Sequence, residues 1–328
     1  PEAAAAELLP FIKKGEDIVK MNWECVDRTA AALDQVAVPA SVGKSFDAPA
    51  VIAADAGQFA KEIVEPVLLL KGDGLPVSKM SFDGVIPTGT TALEKRGIAT
   101  SVPHWLPEHC IQCNQCAFSC PHAVIRPKQI APADLADAPD GFTTVKSRTK
   151  NDRDLAYRLQ VYIEDCTGCG VCIETCPAKQ KALEFAPLDD ERANNERAKA
   201  EFFDALPDNV TDGAPGTTLK GSQFLKPLFE FSGACAGCGE TAYVKLATQL
   251  FGQRMVIANA TGCSSIYGGT FPTVPYCKAK DGRGPTWANS LFEDNAEYGF
   301  GMRLAVDSNR ALLKLNVGKA LASGMTGE

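Results

Sequence analysis

The sequence predicts a multidomain protein of mixed α+β and α/β class, and three observations support this fold class. Residues 2–38 and about 55–71 repeat apolar side chains at helical spacing. Between residues 100 and 188, a strand, a cysteine-rich loop, a short helix and a strand occur twice, as an internal repeat. Residues 216–328 alternate helical and strand-like segments, which is typical of α/β structure.

The N-terminal quarter is predicted to be helical and then extended. In "GEDIVKMNWECVDRTAAALDQV" the apolar residues recur at steps of three and four. The second helical stretch ends at the glycines of "KGDG". Residues 75–97 are rich in proline, glycine and threonine, so we expect an extended connection there.

Each cysteine run of the repeat is flanked by strand-like pieces. "TSVPHW" and "AVIRPK" flank the first run, and "RLQVYIED" and "ALEFAPL" flank the second. The segment "QIAPADLADAPDGFTTVKSRTKNDRD" is an insert between the halves. After the repeat, "DDERANNERAKAEFF" predicts a charged, solvated helix and "PDNVTDGAPGTTLKGSQ" a linker.

The last segment predicts helices around a buried strand. "GETAYVKLATQLFG" reads as a helix, "RMVIANAT" as a buried strand, and "GCSS" as a turn at the carboxyl end of that strand. "EDNAEYGFGMRLAVDSNRALLKLNV" predicts a further long helix.

Composition narrows the function classes. A net charge of −7 argues against a nucleic-acid or anionic-membrane surface, and no apolar run reaches membrane-spanning length. The N-terminus has no signal-peptide pattern, so a cytoplasmic location is expected. The chain begins at Pro1 rather than methionine, which indicates a piece of a longer polypeptide. Thirteen clustered cysteines without a secretion signal favour metal ligation over disulfides.

The two cysteine runs predict two iron–sulfur cubanes. "HCIQCNQCAFSCPHA" (109–123) and "DCTGCGVCIETCPAK" (165–179) each contain C-x2-C-x2-C, which lets one tight loop supply three thiolates. The fourth cysteine of each run precedes a proline and ligates the other cluster in a two-cluster arrangement. We therefore assign a first thiol set, Cys110, Cys113, Cys116 and Cys176, and a second thiol set, Cys166, Cys169, Cys172 and Cys120. Zinc sites or a disulfide knot are the alternatives, but zinc does not need eight thiols in this crossed order.

A third thiol group consists of Cys235 and Cys238 in "CAGC" and Cys263 in "ATGCSS". Three thiols at a helix start and a strand end suit a third cluster but are one ligand short. By spacing alone these cysteines are equally well small buried hydrophobic residues. Cys25 and Cys277 are the remaining cysteines, and nothing near either indicates a fourth ligand.

Histidines lie beside the cysteine runs at positions 104, 109 and 122. Histidine is able to ligate iron, but sulfur already fills every position of the two predicted cubanes. Packing or tuning is therefore the expected role of His104, His109 and His122.

The sequence resembles the pyruvate:ferredoxin (flavodoxin) oxidoreductases, a family of thiamine diphosphate enzymes. The resemblance covers most of residues 76–304. It is carried by the two cysteine runs together with "IPTGTTALEKRGIA", "LKGSQFLKPLFEFSGACAGCGETAYVKL", "MVIANATGCSSIYGGTFPTVPY" and "GPTWANSLFEDNAEYGFGM". Either cysteine run alone is far less specific than the combination.

The resemblance implies three domains and a set of cofactors. Residues 1–75 would end a coenzyme A-binding domain, 76–215 would form a linker and a ferredoxin-like domain with two 4Fe–4S clusters, and 216–328 would begin the thiamine diphosphate domain. The third thiol group would hold a third 4Fe–4S cluster, whose fourth ligand lies beyond Glu328. Glu240 and the backbone around Cys263 would contact thiamine diphosphate, which binds with Mg²⁺, and Asn22 would contact coenzyme A. A surface or helix N-terminal role for Glu240, and a solvated helix asparagine for Asn22, remain open.

The implied activity is oxidation of pyruvate with coenzyme A to acetyl-CoA and CO₂, with electrons passed to ferredoxin or flavodoxin. The family's pyruvate-binding residues and its Mg²⁺-holding segment are absent, so no catalytic residue is predicted here and the segment alone should be inactive. The expected partners are the remaining domains and a second copy of the enzyme. The alternatives are an electron-transfer module of another dehydrogenase, or an oxidoreductase for another 2-oxoacid.

Overall fold

A computed structural model describes residues 15–38, 51–53, 56–150 and 153–324. Contacts divide the chain into two units, residues 1–49 and 50–328. The described part of the first unit contains one helix, α1 (Glu16–Ala31), which has no buried residue. The predicted helix over residues 2–38 is confirmed for residues 16–31 but ends earlier than predicted, and residues 1–14 lie outside the described residues.

The second unit contains nine further helices and seven strands among its described residues. The helices are α2 (Glu65–Leu68), α3 (Gln115–Ser119), α4 (Val171–Glu174), α5 (Leu188–Ala193), α6 (Glu196–Ala205), α7 (Leu219–Ser222), α8 (Thr241–Phe251), α9 (Cys263–Gly269) and α10 (Asn295–Ala322). The strands are β1 (Ser101–Trp105), β2 (Ile125–Ile130), β3 (Val145–Lys146), β4 (Ala156–Val161), β5 (Leu183–Pro187), β6 (Val256–Ala260) and β7 (Thr286–Ser290). A π-helical turn, Ala60–Val64, leads into α2.

The strands form three small sheets. Strand β1 pairs antiparallel with β5, and β4 pairs antiparallel with both β2 and β3. Strand β6 pairs parallel with β7, with Ile257 opposite Trp287. The four predicted strands that flank the cysteine runs are confirmed, whereas β3 inside the insert was not predicted.

The core of the second unit lies between the sheets and the cysteine loops. Val102, Leu159 and Leu183 are among its strand residues, and Tyr157 and Phe203 are among its largest fully buried side chains. A smaller cluster joins Phe229, Tyr267 and Tyr276. The cysteine loops are therefore held on a packed scaffold.

Several sequence expectations need correction. The segment predicted as one solvated helix is two helices, because Asn195 adopts a left-handed conformation (φ 61°) between α5 and α6, and Phe203 and Lys199 are buried. The predicted "GCSS" turn is instead the first turn of α9. Strand β6 is half-exposed rather than buried, because its sheet has only two strands: Val256 is exposed and the next four residues are of intermediate burial. The predicted linker contains the short helix α7, whose Gly221 and Ser222 are buried.

The helix predicted over residues 239–252 is confirmed as Thr241–Phe251, and the long helix predicted over residues 293–317 is confirmed as Asn295–Ala322. Helix α10 has no buried residue among its 28. Among the described residues, no helix is both long and apolar enough to cross a membrane.

Candidate metal centres

The pairing of β1 with β5 brings the first thiol set together. Cys110 lies five residues after β1, and Cys176 lies seven residues before β5. Because Trp105 at the end of β1 is opposite Leu183 at the start of β5, the two cysteines come to the same end of this sheet. The crossed order of the ligands thus follows from how the strands pair.

The pairing of β2 with β4 brings the second thiol set together in the same way. Cys120 lies five residues before β2 and Cys166 lies five residues after β4. Ile125 of β2 is opposite Val161 of β4, which places Cys120 beside the loop of the second cysteine run. Each run therefore contributes three thiols to its own site and one to the other.

Each thiol set lines its own cavity. The wall of the first cavity includes all four thiols of the first set together with Tyr157, Leu159 and Leu183. The wall of the second cavity includes the four thiols of the second set with Pro103, His122 and Val124. Both walls are otherwise mostly apolar, so these are sites for a compact, sulfur-bound group.

The two loops have the same backbone form with different residues. Gln112 and Asn114 in the first loop have left-handed φ values of 57° and 62°, and Gly168 and Gly170 at the matching positions have 68° and 77°. This alternation turns successive amides toward the enclosed space. The Gly168 amide donates to Cys166 Sγ (3.4 Å), and the Ala182 amide donates to Cys176 Sγ (3.4 Å).

Side-chain hydrogen bonds hold the non-glycine residues of the first loop in that conformation. Gln112 Nε2 donates to the Lys146 carbonyl (2.8 Å) and Gln112 Oε1 accepts from the Arg148 amide (2.7 Å). Asn114 Nδ2 donates to the Lys220 carbonyl (2.9 Å), and the Tyr157 hydroxyl donates to Asn114 Oδ1 (2.8 Å). The unpredicted strand β3 thus supports the first loop through Lys146.

The thiols fit iron–sulfur ligation electrostatically. Burial raises the pKa of Cys166 to about 12, and it also raises the pKa values of Cys116 and Cys172 well above their ordinary range. For Cys116 the other three thiols of its own set, Cys110, Cys113 and Cys176, raise the pKa further. Four neighbouring thiols that oppose each other's ionisation need a cationic metal to become thiolates.

The thiols do not converge on one point. Among the described residues, no group of three or more cysteine, histidine, aspartate or glutamate side chains is arranged to hold a single metal ion. In a cubane each thiolate binds a different iron atom, so four thiols spread around a cavity are the donor set it needs.

The structure places the third thiol group differently. Cys235 and Cys238 lie in the loop before α8, and Cys263 is the first residue of α9, after β6. Cys235 and Cys263 are exposed and Cys238 is half-buried, so these three do not form a closed cavity like the other sets. Of the remaining cysteines, Cys277 is buried with its thiol toward the Pro227 carbonyl, and Cys25 is exposed on α1.

The third thiol group lies against the second thiol set. A Cβ at Gly237, between Cys235 and Cys238, would lie 3.8 Å from both Cys169 Cβ and Val171 Cγ2. His122, next to the Cys120–Pro121 pair, is buried, and its Nε2 donates to the Ala234 carbonyl (2.9 Å). Neighbouring Phe231 donates its amide to the His122 carbonyl (2.9 Å). His122 therefore joins the two sites by packing and hydrogen bonding, whereas His104 pairs with Glu191 and His109 contacts the Lys181 carbonyl.

Residues 89–100 form a strap, which begins in the predicted extended connection (75–97), leads into β1 and touches both regions. Thr90 Oγ1 donates to the Pro272 carbonyl (2.6 Å), and Thr91 Oγ1 donates to the Glu230 carbonyl (2.8 Å). Farther along the strap, Lys95 pairs with Asp165 (2.7 Å), which precedes Cys166. The strap thus anchors the second cysteine run to the segment that carries the third thiol group.

Two family models match this chain. A 4Fe–4S double cluster binding domain matches residues 109–179, which contain both cysteine runs. A domain of unknown function, named EKR, matches residues 45–99 and so includes most of the strap.

Curated relatives match nearly the whole chain. The pyruvate:ferredoxin oxidoreductase of Moorella thermoacetica is 53% identical over 94% of this chain and 26% of its own length. The pyruvate-flavodoxin oxidoreductases of a Nostoc species and of Klebsiella pneumoniae are 46% and 44% identical over 90% and 100% of this chain. The chain belongs to the pyruvate:ferredoxin/flavodoxin oxidoreductase family. It spans about a quarter of the length of these relatives.

The residues that the oxidoreductase resemblance linked to organic cofactors lie in two places. Glu240 precedes α8, is exposed, and makes no side-chain capping bond to that helix. Burial and the nearby Glu240 carboxylate raise the pKa of Tyr276 to about 12. Asn22, in the other unit, donates from Nδ2 to the Ile18 carbonyl of its own helix (2.7 Å).

The sequence did not predict that two cationic side chains near the metal sites are buried. Arg126 on β2 pairs with Glu230 (2.5 Å) and lies over the rings of Tyr162 and Phe231. Lys245 on α8 is buried, and its ammonium donates to backbone carbonyls at the end of α3. The sequence carries no signal for Lys245, since only the structure shows that Thr241, Lys245 and Thr248 are the buried residues of this helix.

Proposed function

We propose that the complete protein oxidises pyruvate with coenzyme A to acetyl-CoA and CO₂, releasing one proton and two electrons to ferredoxin or flavodoxin. This segment carries the electrons outward, one at a time. The observation that supports this most strongly is the crossed arrangement of eight thiols around two cavities, in a chain 53% identical to a protein of that name. A 4Fe–4S cluster accepts one electron at a time, which suits transfer to a one-electron acceptor.

Three clusters are proposed, one at each thiol set and one at the third thiol group. The first two have complete donor sets within this chain. Cys235, Cys238 and Cys263 would supply three of the four ligands of the other cluster. Their exposure in this segment leaves them accessible to a ligand from another part of the complete protein.

We propose that Glu240 and the backbone around Cys263 contribute to the thiamine diphosphate site. When bound, this cofactor supplies the electron sink for decarboxylation. The support from this chain is a buried hydroxyl next to Glu240: Thr241 Oγ1 has no hydrogen-bond partner among the described residues. Burial and the nearby Glu240 carboxylate raise the pKa of Tyr267 above its ordinary value. Buried hydroxyls without partners are costly unless a ligand satisfies them. The role of Mg²⁺, the contact of Asn22 with coenzyme A, the three domain boundaries and the homodimer belong to the same proposal.

The contacts also favour an order for electron transfer. The loop of Cys235 and Cys238 packs on Cys169 and is held by His122, both parts of the second thiol set's surroundings. Electrons would therefore pass from the third thiol group to the second thiol set and then to the first. Ile111, in the loop of the first set, is 45% exposed, which leaves that end open to an external acceptor.

Two other functions predict different measurements. An electron-transfer module of another dehydrogenase would need only the two complete thiol sets, and the complete protein would then hold about eight iron atoms rather than about twelve. A sibling enzyme for another 2-oxoacid would show the same iron content with a different substrate.

The test uses the full-length protein, purified anaerobically. We expect about twelve iron atoms per chain. Ferredoxin reduction should require both pyruvate and coenzyme A. Reduction that continues at the same rate without coenzyme A would contradict the acetyl-transfer step, and reduction by 2-oxoglutarate but not pyruvate would support the sibling enzyme.

A further inference from the structure

Lys245 of α8 reaches into the helix that joins the two thiol sets. Its ammonium donates to the carbonyls of Phe118 (3.1 Å) and Cys120 (3.3 Å), and also to the carbonyl of Ala117. These carbonyls form the end of α3, whose residues connect Cys116 of the first set to Cys120 of the second. The side chain of Lys245 is almost completely buried, with 2% of the residue exposed.

A buried ammonium is costly unless an opposite charge offsets the lost hydration. Other buried cations of this unit have carboxylate partners: Arg126 pairs with Glu230, Arg158 with Glu196, and Lys199 with Glu196. For Lys245, no ion pair with a carboxylate occurs among the residues that the structure describes. Its ammonium instead bonds the carbonyl of Ala117, which follows Cys116 of the first set, and the carbonyl of Cys120 of the second set.

The carbonyls at the end of α3 satisfy the hydrogen-bonding groups of Lys245 but carry only partial negative charge. A cluster held by four thiolates is anionic and gains a further negative charge on reduction, and its net charge and surroundings set its potential. Thiol sets that are filled with clusters would supply the charge that Lys245 lacks. This step rests on the proposed function.

We propose that Lys245 is a shared counter-cation for the two clusters, and a positioning residue that fixes the third thiol group beside them. Helix α8 begins at Thr241, three residues after Cys238 of the third thiol group. The Lys245 side chain therefore anchors the segment of the third thiol group onto the cysteine runs. Its positive charge stabilises the reduced form of each cluster. The effect is larger for the cluster of the second set, because Lys245 bonds directly to the carbonyl of Cys120.

The test is a redox titration of the full-length protein, followed by electron paramagnetic resonance. Lys245→Met keeps the length of the side chain and removes its charge, and Lys245→Gln also retains hydrogen-bond donors. In both variants we expect the reduction equilibrium of one cluster to fall at least about tenfold, which lowers its midpoint potential by about 59 mV for one electron. A second cluster should shift less in the same direction. Lys199→Met, which removes a buried lysine paired with Glu196 on α6, should leave all potentials unchanged.

The outcomes separate this proposal from the proposed function. Wild-type potentials in Lys245→Met or Lys245→Gln would overturn the role of Lys245, while three clusters in the wild-type protein would still support the proposed function. If neither neutral variant assembles clusters, Lys245→Arg decides. Assembly with potentials near wild type would support the need for a charge, and a defect as severe as in the neutral variants would overturn it. A wild-type protein without 4Fe–4S signals would instead defeat the proposed function.

Discussion

The ion pair between Arg126 and Glu230 joins the repeat of the two cysteine runs to the segment that follows it, so its loss should loosen their contact. Arg126 lies on β2, and Glu230 lies in the segment that leads to the third thiol group. The side chains are 11% and 10% exposed, and their closest atoms are 2.5 Å apart. Burial alone would lower the pKa of Arg126, but the Glu230 carboxylate more than offsets this and raises it.

Arg126→Met leaves a buried carboxylate without its partner. Removing one member of a buried pair costs about 3–5 kcal/mol. Since each 1.4 kcal/mol is a factor of ten, opening of the segment around Glu230 should become at least about a hundredfold more frequent. The double variant Arg126→Met/Glu230→Gln removes the unpaired charge and should recover most of this loss, because buried pairs contribute little net stability over neutral replacements.

Amide hydrogen exchange of the full-length protein, read by mass spectrometry, reports this opening locally. The control is Arg303→Met, which breaks an exposed pair with Asp307 that we expect to contribute less than about 1 kcal/mol. Unchanged exchange around Glu230 in Arg126→Met would refute the reasoning. Exchange in the double variant as fast as in the single variant would also refute it.

Three further predictions follow from single contacts. Cys263→Ala should remove the cluster of the third thiol group, lowering iron by about four of about twelve atoms and abolishing pyruvate-driven ferredoxin reduction, while dithionite still reduces the other two clusters; normal turnover would contradict its assignment. Gly97→Ala should destabilise the strap by about 1–3 kcal/mol in thermal unfolding, since its φ is +54° and an added Cβ would clash with the Arg192 guanidinium. The control Gly84→Ala, with φ +74° and no atom within 4 Å of the added Cβ, should lose less stability. Lys95→Met should raise exchange around Cys166 by roughly tenfold, because Asp165 is 4% exposed and loses its partner; exchange equal to wild type would exclude an anchoring role for the strap.

The sequence predicted the parts of the site whose chemistry is local. C-x2-C-x2-C fixes three thiols on one loop, and the proline after Cys120 and Cys176 indicates the crossed assignment. The strands around the runs were predictable because their segments contain β-branched and aromatic residues. Pairing of β1 with β5 and of β2 with β4 gives the crossed order its structural cause.

The missed features depend on contacts between distant residues. Lys199 and Phe203 look like parts of a solvated helix, yet they are buried because α6 packs on β4. The role of β3 depends on Lys146 meeting Gln112, 34 residues away. A lysine on an amphipathic helix is usually exposed, so the sequence does not predict that Lys245 is buried.

Iron content of paired cysteine variants tests the crossed arrangement most directly. In the full-length protein, Cys110→Ala and Cys176→Ala should each lose about four iron atoms, and the double variant should lose no more than about four, because both thiols serve one cubane. Cys166→Ala/Cys176→Ala should lose about eight, since its two thiols serve different cubanes. A loss of about eight in Cys110→Ala/Cys176→Ala, with about four in Cys166→Ala/Cys176→Ala, would contradict the crossed assignment.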